Sequence, residues 1–333
     1  MRRILWVICV LALVWAVWWF WAASLVQRAA DGWFEDRRAE GWQAEYGALD
    51  VSGFPFRFTA QMGVLALADP ATGVAVTASG LNMAAPAWWP GDLTVTFPND
   101  AITIASPRAR ATVLMHDAVA AVRLHPGPML ALETSGLTAG PWSVNGPGGQ
   151  VVSAADLAVT MTQHTAPHTY QITAQATDLR PGAGPRATLR VPQNWPLTFD
   201  RFALDMEVQF DRAWDRRVIE DARPQPRHIR IDLAEAVWGQ MALRTAAELS
   251  VDPQGVPTGT VSLQARNWQD ILVLAESAGL LPAALVPQAQ SALSMLAQAS
   301  GDPRAIDATL TLRNGLVMIG FIPIGAAPRI YLR

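Results

Sequence analysis

Lysine is missing from all 333 residues, so each of the 25 basic side chains is an arginine. No phosphate-cradling loop of the Gly-x4-Gly-Lys type can therefore be present. Cysteine is nearly missing as well. Its single copy, Cys9, lies inside a long apolar run, so the rest of the chain has no disulfide and no thiol nucleophile. Charge is sparse: 16% of residues are charged and the formal net charge is −3. The arginines are scattered, whereas a nucleic-acid surface needs a basic patch. No serine stands in a Gly-x-Ser-x-Gly elbow. These absences argue against disulfide scaffolds, thiol enzymes, P-loop enzymes and nucleic-acid readers.

Apolar residues, by contrast, make up 51% of the chain. They are densest from Ile4 to Val26, a run of 23 positions without a charge directly after Arg2 and Arg3. At 1.5 Å per helical residue the run spans roughly 34 Å, enough for a hydrocarbon core of about 30 Å. A secretory signal has an apolar region of only about 7–15 residues before a small-residue cleavage site. Here the small-residue site Ala22-Ala23-Ser24 follows a belt of Trp15, Trp18, Trp19 and Trp21. Indole rings favour the membrane–water interface, so a retained anchor fits better than a cleaved signal. Arg2 and Arg3 keep the N-terminus inside under the positive-inside rule and send the remainder across. The expected order is a cytoplasmic tail at 1–3, a transmembrane anchor at 4–26, a juxtamembrane helix at 27–46 and a body at 47–333.

Within the body, Phe202, Leu204, Met206, Val208 and Phe210 alternate with Ala203, Asp205, Glu207 and Gln209. A period of two is the pattern of a half-buried strand. It recurs at 93–97, 101–105, 157–162, 170–176, 228–233, 243–251, 261–266 and 309–312. Turn formers such as Asp69-Pro70-Ala71-Thr72-Gly73, Pro147-Gly148-Gly149 and Asp252-Pro253-Gln254-Gly255 lie between strands. Short turns favour antiparallel pairing, with one apolar face and one wet face. Residues 267–300 depart from this pattern. Asn267 with Asp270 resembles a helix cap, and Ile271, Leu274, Ala275 and Ala278 share a face until Gly279 and Pro282. A second helix is predicted from near Pro287, with Leu285, Ala289, Ala292 and Leu296 on one side and a stop at Gly301. The fold class is thus mainly β: a large antiparallel body with a C-terminal helical insertion. Roughly ten strands offer more apolar area than about thirty helical residues can shield. A closed sandwich and a curved sheet with a groove satisfy the pattern equally.

Candidate chemistry is thin. His164 and His168 flank Thr165-Ala166-Pro167, but the proline breaks a helix and no third ligand stands nearby, so zinc is not expected. His116 and Asp117, near His125, are neighbours, and strand neighbours point to opposite faces. Asp211, Asp215, Glu220 and Asp221 interleave with Arg212, Arg216, Arg217 and Arg223. Such spacing pairs charges with one another and is a poor basis for a two-carboxylate glycosidase site. No catalytic, metal or cofactor set emerges, and a non-enzymatic role is expected. The aromatic residues are more distinctive. Gly53-Phe54-Pro55-Phe56-Arg57-Phe58 reads as the first strand after the juxtamembrane helix, with Phe54, Phe56 and Phe58 on one face. These suit core packing or contact with an apolar ligand. Trp88-Trp89-Pro90-Gly91 reads as a loop with a second apolar contact point.

The same residues carry a resemblance. Arg2-Arg3, the apolar run, Glu40-Gly41-Trp42 and the segment from Val51 to Phe58 resemble the bacterial family known as domain of unknown function 2125. The likeness continues through Ala213-Trp214-Asp215-Arg216 and Ala222-Arg223-Pro224-Gln225-Pro226. It resumes at Val256-Pro257-Thr258-Gly259, Arg266-Asn267-Trp268 and Ile322-Pro323-Ile324-Gly325 before Pro328. It implies a membrane-anchored envelope protein of uncharacterised function with no assigned catalytic residues; with the anchor, the expectation is a single-pass inner-membrane protein with a periplasmic body. The Gly-Phe-Pro element, and a tail that returns to strands after the helices, are also similar to AsmA-type envelope proteins. Those are tethered β-rich bodies with apolar grooves linked to lipid transport. Two expectations follow. One is a groove that binds lipid or another hydrophobic envelope component, with Phe54, Phe56, Phe58, Trp88 and Trp89 as contacts. The other is an adaptor with a closed sandwich, docking another envelope protein through the Trp88–Trp89 loop or the helical pair. The partners are then the bilayer, lipid or an envelope protein, and not nucleic acid.

Overall fold

A helix of 38 residues, Arg2–Ala39, opens the computed structural model, which describes residues 2–220, 223–279, 281 and 283–332. Asp221, Ala222 and Pro282, named above for a charge cluster, a motif and a helix break, lie outside the described residues. No proline interrupts the opening helix. It is long and apolar enough to cross a membrane, with a mean hydropathy of 2.3 in its most apolar window. It ends seven residues before the expected boundary at 46. Gly41 turns the chain at φ +89°, and Gln43–Tyr46 is a strand paired antiparallel with Leu65–Asp69. Backbone groups at 43–46 thus find partners on a neighbouring strand instead of within a helix.

Among the described residues the strands form two antiparallel sheets, of eight and fifteen strands. The chain divides into two compact units. The first holds Met1–Leu124 and Leu137–Pro147, and the second holds His125–Gly136 and Gly148–Arg333.

In the first unit the eight-stranded sheet contributes Gln43–Tyr46, Leu65–Asp69, Val74–Ala78, Ile102–Ala105, Arg110–Met115 and Trp142–Gly146, in that order. The larger sheet contributes Leu49–Ser52, Arg57–Met62, Leu81–Pro86, Asp92–Thr96 and Val119–Leu124. Most of these strands have only four to six residues. A two-residue period has little room to declare itself at that length, so many of them were not legible in the sequence. The Asp69–Gly73 turn forms as expected. The Asp69 carboxylate accepts from the Ala71 N–H and the Thr72 hydroxyl, and Gly73 takes φ +68°. Both sheets reach one core here: Ala44 and Leu65 from one, and Met62 and Leu81 from the other, surround Phe34 of the helix.

In the second unit the larger sheet contributes nine strands, each bonded to the next. They are Leu157–Gln163, Thr169–Ala176, Arg201–Phe210, Pro226–Trp238, Met241–Val251, Pro257–Arg266, Ala305–Arg313, Leu316–Ile319 and Ile322–Ala326. The longest has 13 residues, and alternation is readable in the first seven but not in the short strands Leu316–Ile319 and Ile322–Ala326. Helices Trp268–Ser277 and Val286–Ser300 fill the predicted insertion. Trp268, Leu293, Leu296 and Ala297 cover Ala265, Ile306 and Ala308 of the sheet. Asn267 does not cap through its side chain. It sits at φ +50° and its amide donates to the Gln240 carbonyl at 2.7 Å, tying the insertion to the sheet. Gly301 ends the second helix at φ +84°, as predicted.

Candidate functional site

The aromatic residues near the helix split into two sets. Strands Leu49–Ser52 and Arg57–Met62 pair antiparallel, so residues 53–56 form the turn between them. Phe54, Phe56 and Phe58 therefore do not share a strand face. Pro55 has no N–H for a ladder, and Gly53 at φ +104° lets the Arg57 N–H reach back to its carbonyl at 3.0 Å. Phe58 is buried, whereas Phe54 is 48% and Phe56 67% exposed. The tryptophan pair splits likewise. Trp88 is 68% exposed, whereas Trp89 folds over Gly91, where an added Cβ would meet the indole at 2.4 Å.

The helix reaches this turn with the tryptophans expected to mark a membrane boundary. Trp15 and Trp19 lie four residues apart, hence on one face. Their indole N–H groups donate to the carbonyls of Pro55 at 2.9 Å and Arg57 at 3.1 Å. Trp19 stacks on Phe58 with ring centroids 5.4 Å apart, and Phe20 stacks on Phe54 at 5.7 Å. Trp19, Ala23, Phe58 and Ala87 form a small buried core. Trp18 and Trp21 occupy the exposed flank. The last third of the apolar run is thus docked on the body.

The second unit carries a different surface, one that periodicity alone did not single out. Cross-strand register aligns Ile172, Met206, Ile231, Ala247, Val261 and Leu310 in one row across six strands. Every side chain in this row is apolar, and all but the small Ala247 are only half-buried. Its flanks are more covered. On one side the helical insertion lies over Ala265, Ile306 and Ala308. On the other, Val208, Ile229, Leu249 and Leu312 are buried. At that end Tyr170 packs edge-on to Phe210 at 6.0 Å and donates its hydroxyl to the Leu132 carbonyl at 3.1 Å. Burial raises the Tyr170 phenol above its ordinary pKa. A register shift beside Ile231 marks a bulge, which kinks a strand and increases its twist. The opposite face of these strands is wet. One residue along, the aligned row reads Gln171, Glu207, Arg230, Glu248, Thr260 and Thr311.

The charged candidates pair with one another. Arg217 grips Asp215 in a fork, with Nε 3.0 Å from Oδ1 and Nη2 2.6 Å from Oδ2. That fork, assisted by the Arg217 backbone N–H, holds the buried Asp215 carboxyl below its usual pKa. Asp211 accepts from the Gln225 N–H at 2.9 Å and lies 3.5 Å from Arg227. Glu235, not recognised from the sequence, is buried between Arg244 at 2.7 Å and Arg201 at 3.2 Å, and these bonds lower its pKa. Its signal is Arg244 directly opposite on one neighbouring strand and Arg201 diagonally across on the other, visible only once register is known. Among the histidines, His164 lies 3.9 Å from Glu207, and His125 Nε2 lies 2.6 Å from Gln163 Oε1. His168 occupies the loop at φ +56°. Among the described residues, no three His, Cys, Asp or Glu side chains group as metal ligands.

An apolar N-terminal helix and an antiparallel β body with amphipathic strands define a class of β-rich protein equipped for a membrane anchor. Within that class, a family model described as an uncharacterized protein conserved in bacteria (DUF2125) matches residues 19–328. The chain belongs to this family. No curated protein and no solved structure matches it.

Proposed function

We propose that this protein is a non-catalytic, single-pass envelope protein that binds lipid or another hydrophobic envelope component on the apolar row of its second unit. The observation that carries this reading is the half-buried state of Ile172, Met206, Ile231, Val261 and Leu310 at the middle of a sheet. Middle strands of a sheet ordinarily have their apolar face covered by another layer. Here the helical insertion covers one end and leaves a strip that an acyl chain can complete. Arg2 and Arg3 support a cytoplasmic N-terminus and a periplasmic body under the positive-inside rule. Self-paired carboxylates at Asp211, Asp215 and Glu235 favour binding over turnover.

The test is mass spectrometry of the full chain released gently from its membrane. Co-purifying lipid, displaced when the row is altered, is the expected result. Protein that emerges free of lipid and takes up none on addition, or a row found covered by another protein, overturns the reading.

A further inference from the structure

The helix and the turn it grips set a depth that the anchor alone does not. If Arg3 stands at one membrane face, Trp15 lies about 18 Å and Trp19 about 24 Å along the helix, at 1.5 Å per residue. Both distances fall inside a hydrocarbon core of about 30 Å. Trp15 and Trp19 are the residues bonded to the carbonyls of Pro55 and Arg57. The body therefore meets the helix within the membrane's thickness.

We propose that the Phe54–Phe56 turn and Trp88 insert into the leaflet on the body's side, as a second membrane contact beside the helix. This rests on reading Arg2–Ala39 as membrane-spanning. Three observations converge on it. Phe54, Phe56 and Trp88 are exposed together at this tip, where the Ala87 N–H donates to the Phe56 carbonyl at 2.9 Å. Phe20, itself 62% exposed, stacks on Phe54, so the apolar surface of the helix continues onto the turn. Finally, four carbonyls of the turn already have donors, which lowers the cost of leaving water. An unpaired backbone group is expensive in hydrocarbon. Here the Gly53 carbonyl accepts from the Arg57 N–H, Pro55 from the Trp15 indole, Phe56 from Ala87, and Arg57 from the Trp19 indole. Pro55 has no N–H to satisfy.

Single-cysteine chains test this in vesicles of phosphatidylethanolamine and phosphatidylglycerol that hold only this protein. The native chain, labelled on Cys9 with an environment-sensitive fluorophore, reports the helix. Phe56→Cys and Trp88→Cys, each made with Cys9→Ser, report the turn from exposed positions that tolerate replacement. The expected result is that lipid carrying a doxyl group on its acyl chain quenches positions 56 and 88 as strongly as Cys9, while aqueous iodide does not. Quenching at Cys9 with positions 56 and 88 open to iodide overturns the insertion and leaves the anchor standing. Positions 56 and 88 shielded from both quenchers are covered by another copy of the protein, which also overturns it. Cys9 unreached by doxyl lipid removes the anchor and the insertion together.

Discussion

Replacing Val261 with aspartate is the sharpest probe of the apolar row. From Ile172 to Leu310 the row crosses five strand spacings, about 24 Å at roughly 4.8 Å each. Half of a bilayer core is about 15 Å, so one acyl tail fits within that length. A tail lying on an open face hides about half of its surface. At about 0.8 kcal/mol per fully buried methylene, a dozen methylenes then contribute roughly 5 kcal/mol. Val261 is the fifth of the six residues in the row, between Ala247 and Leu310. An aspartate there removes contact with a few methylenes, about 1 kcal/mol, and loses hydration under the tail, about 1–3 kcal/mol. The sum of about 2–4 kcal/mol corresponds to binding weakened roughly thirty- to several-hundred-fold. In the free protein the half-buried position lets the carboxylate turn toward water, so the fold survives. Thr260→Asp is the control, because Thr260 is the adjacent residue on the wet face and is exposed. Titration with a phospholipid bearing a fluorescent tail reads both variants. Undiminished binding by Val261→Asp, or an equal loss in Thr260→Asp, refutes the assignment.

Other parts of the structure give further expected outcomes. Trp268→Ala removes a buried ring whose indole donates to the Pro303 carbonyl at 3.1 Å, and should destabilise the helical insertion by about 3–5 kcal/mol. Hydrogen exchange in Trp268–Ser277 and Val286–Ser300 should accelerate, and unchanged protection there would contradict the packing described. Gly53→Ala places a Cβ 2.8 Å from the Arg57 carbonyl at φ +104°, so the turn should lose roughly 1–3 kcal/mol. A thermal scan checks this, and an unshifted transition would mean that the turn is not closed as described. Asp215 and Glu235 both have lowered folded pKa values, so the unfolded chain binds their protons first on acidification. Their stabilisation is complete above the unfolded values near pH 4 and falls away as pH drops through the folded ones. Asp215→Asn should flatten that acid limb in stability measured against pH, and an unchanged limb would assign the acid sensitivity to other groups.

Legibility followed the length over which a pattern was sustained. Residues 202–210 declared a strand because nine positions alternated, and the strand Arg201–Phe210 is there. The sequence pattern predicts helix for the strand Gln43–Tyr46, because four residues after an unbroken helical run contain no period of their own. Its state is decided by Leu65–Asp69, about twenty residues downstream. Phe54 and Phe56 show the same limit. The triplet Phe54, Phe56 and Phe58 alternates as a strand does, yet Gly53 and Pro55 supply turn geometry that outweighs three aromatic positions. Glu235 was invisible for a related reason: its arginine partners stand 34 and nine residues away in sequence.

Local chemistry by itself determined that the chain opens with a helix charge-free over residues 4–26, that its long strands are amphipathic and antiparallel, and that a helical pair interrupts them at 267–300. Each of these depends on residues within a turn or two of one another, where periodicity and capping act. Tertiary structure alone decided that Trp15 and Trp19 spend their indole N–H groups on a turn of the body, and that Ile172, Met206, Ile231, Val261 and Leu310 align into one half-buried row. Both depend on register between distant strands and on which face a helix presents. Periodicity cannot encode that, because the same alternation serves a covered core and an open row equally well.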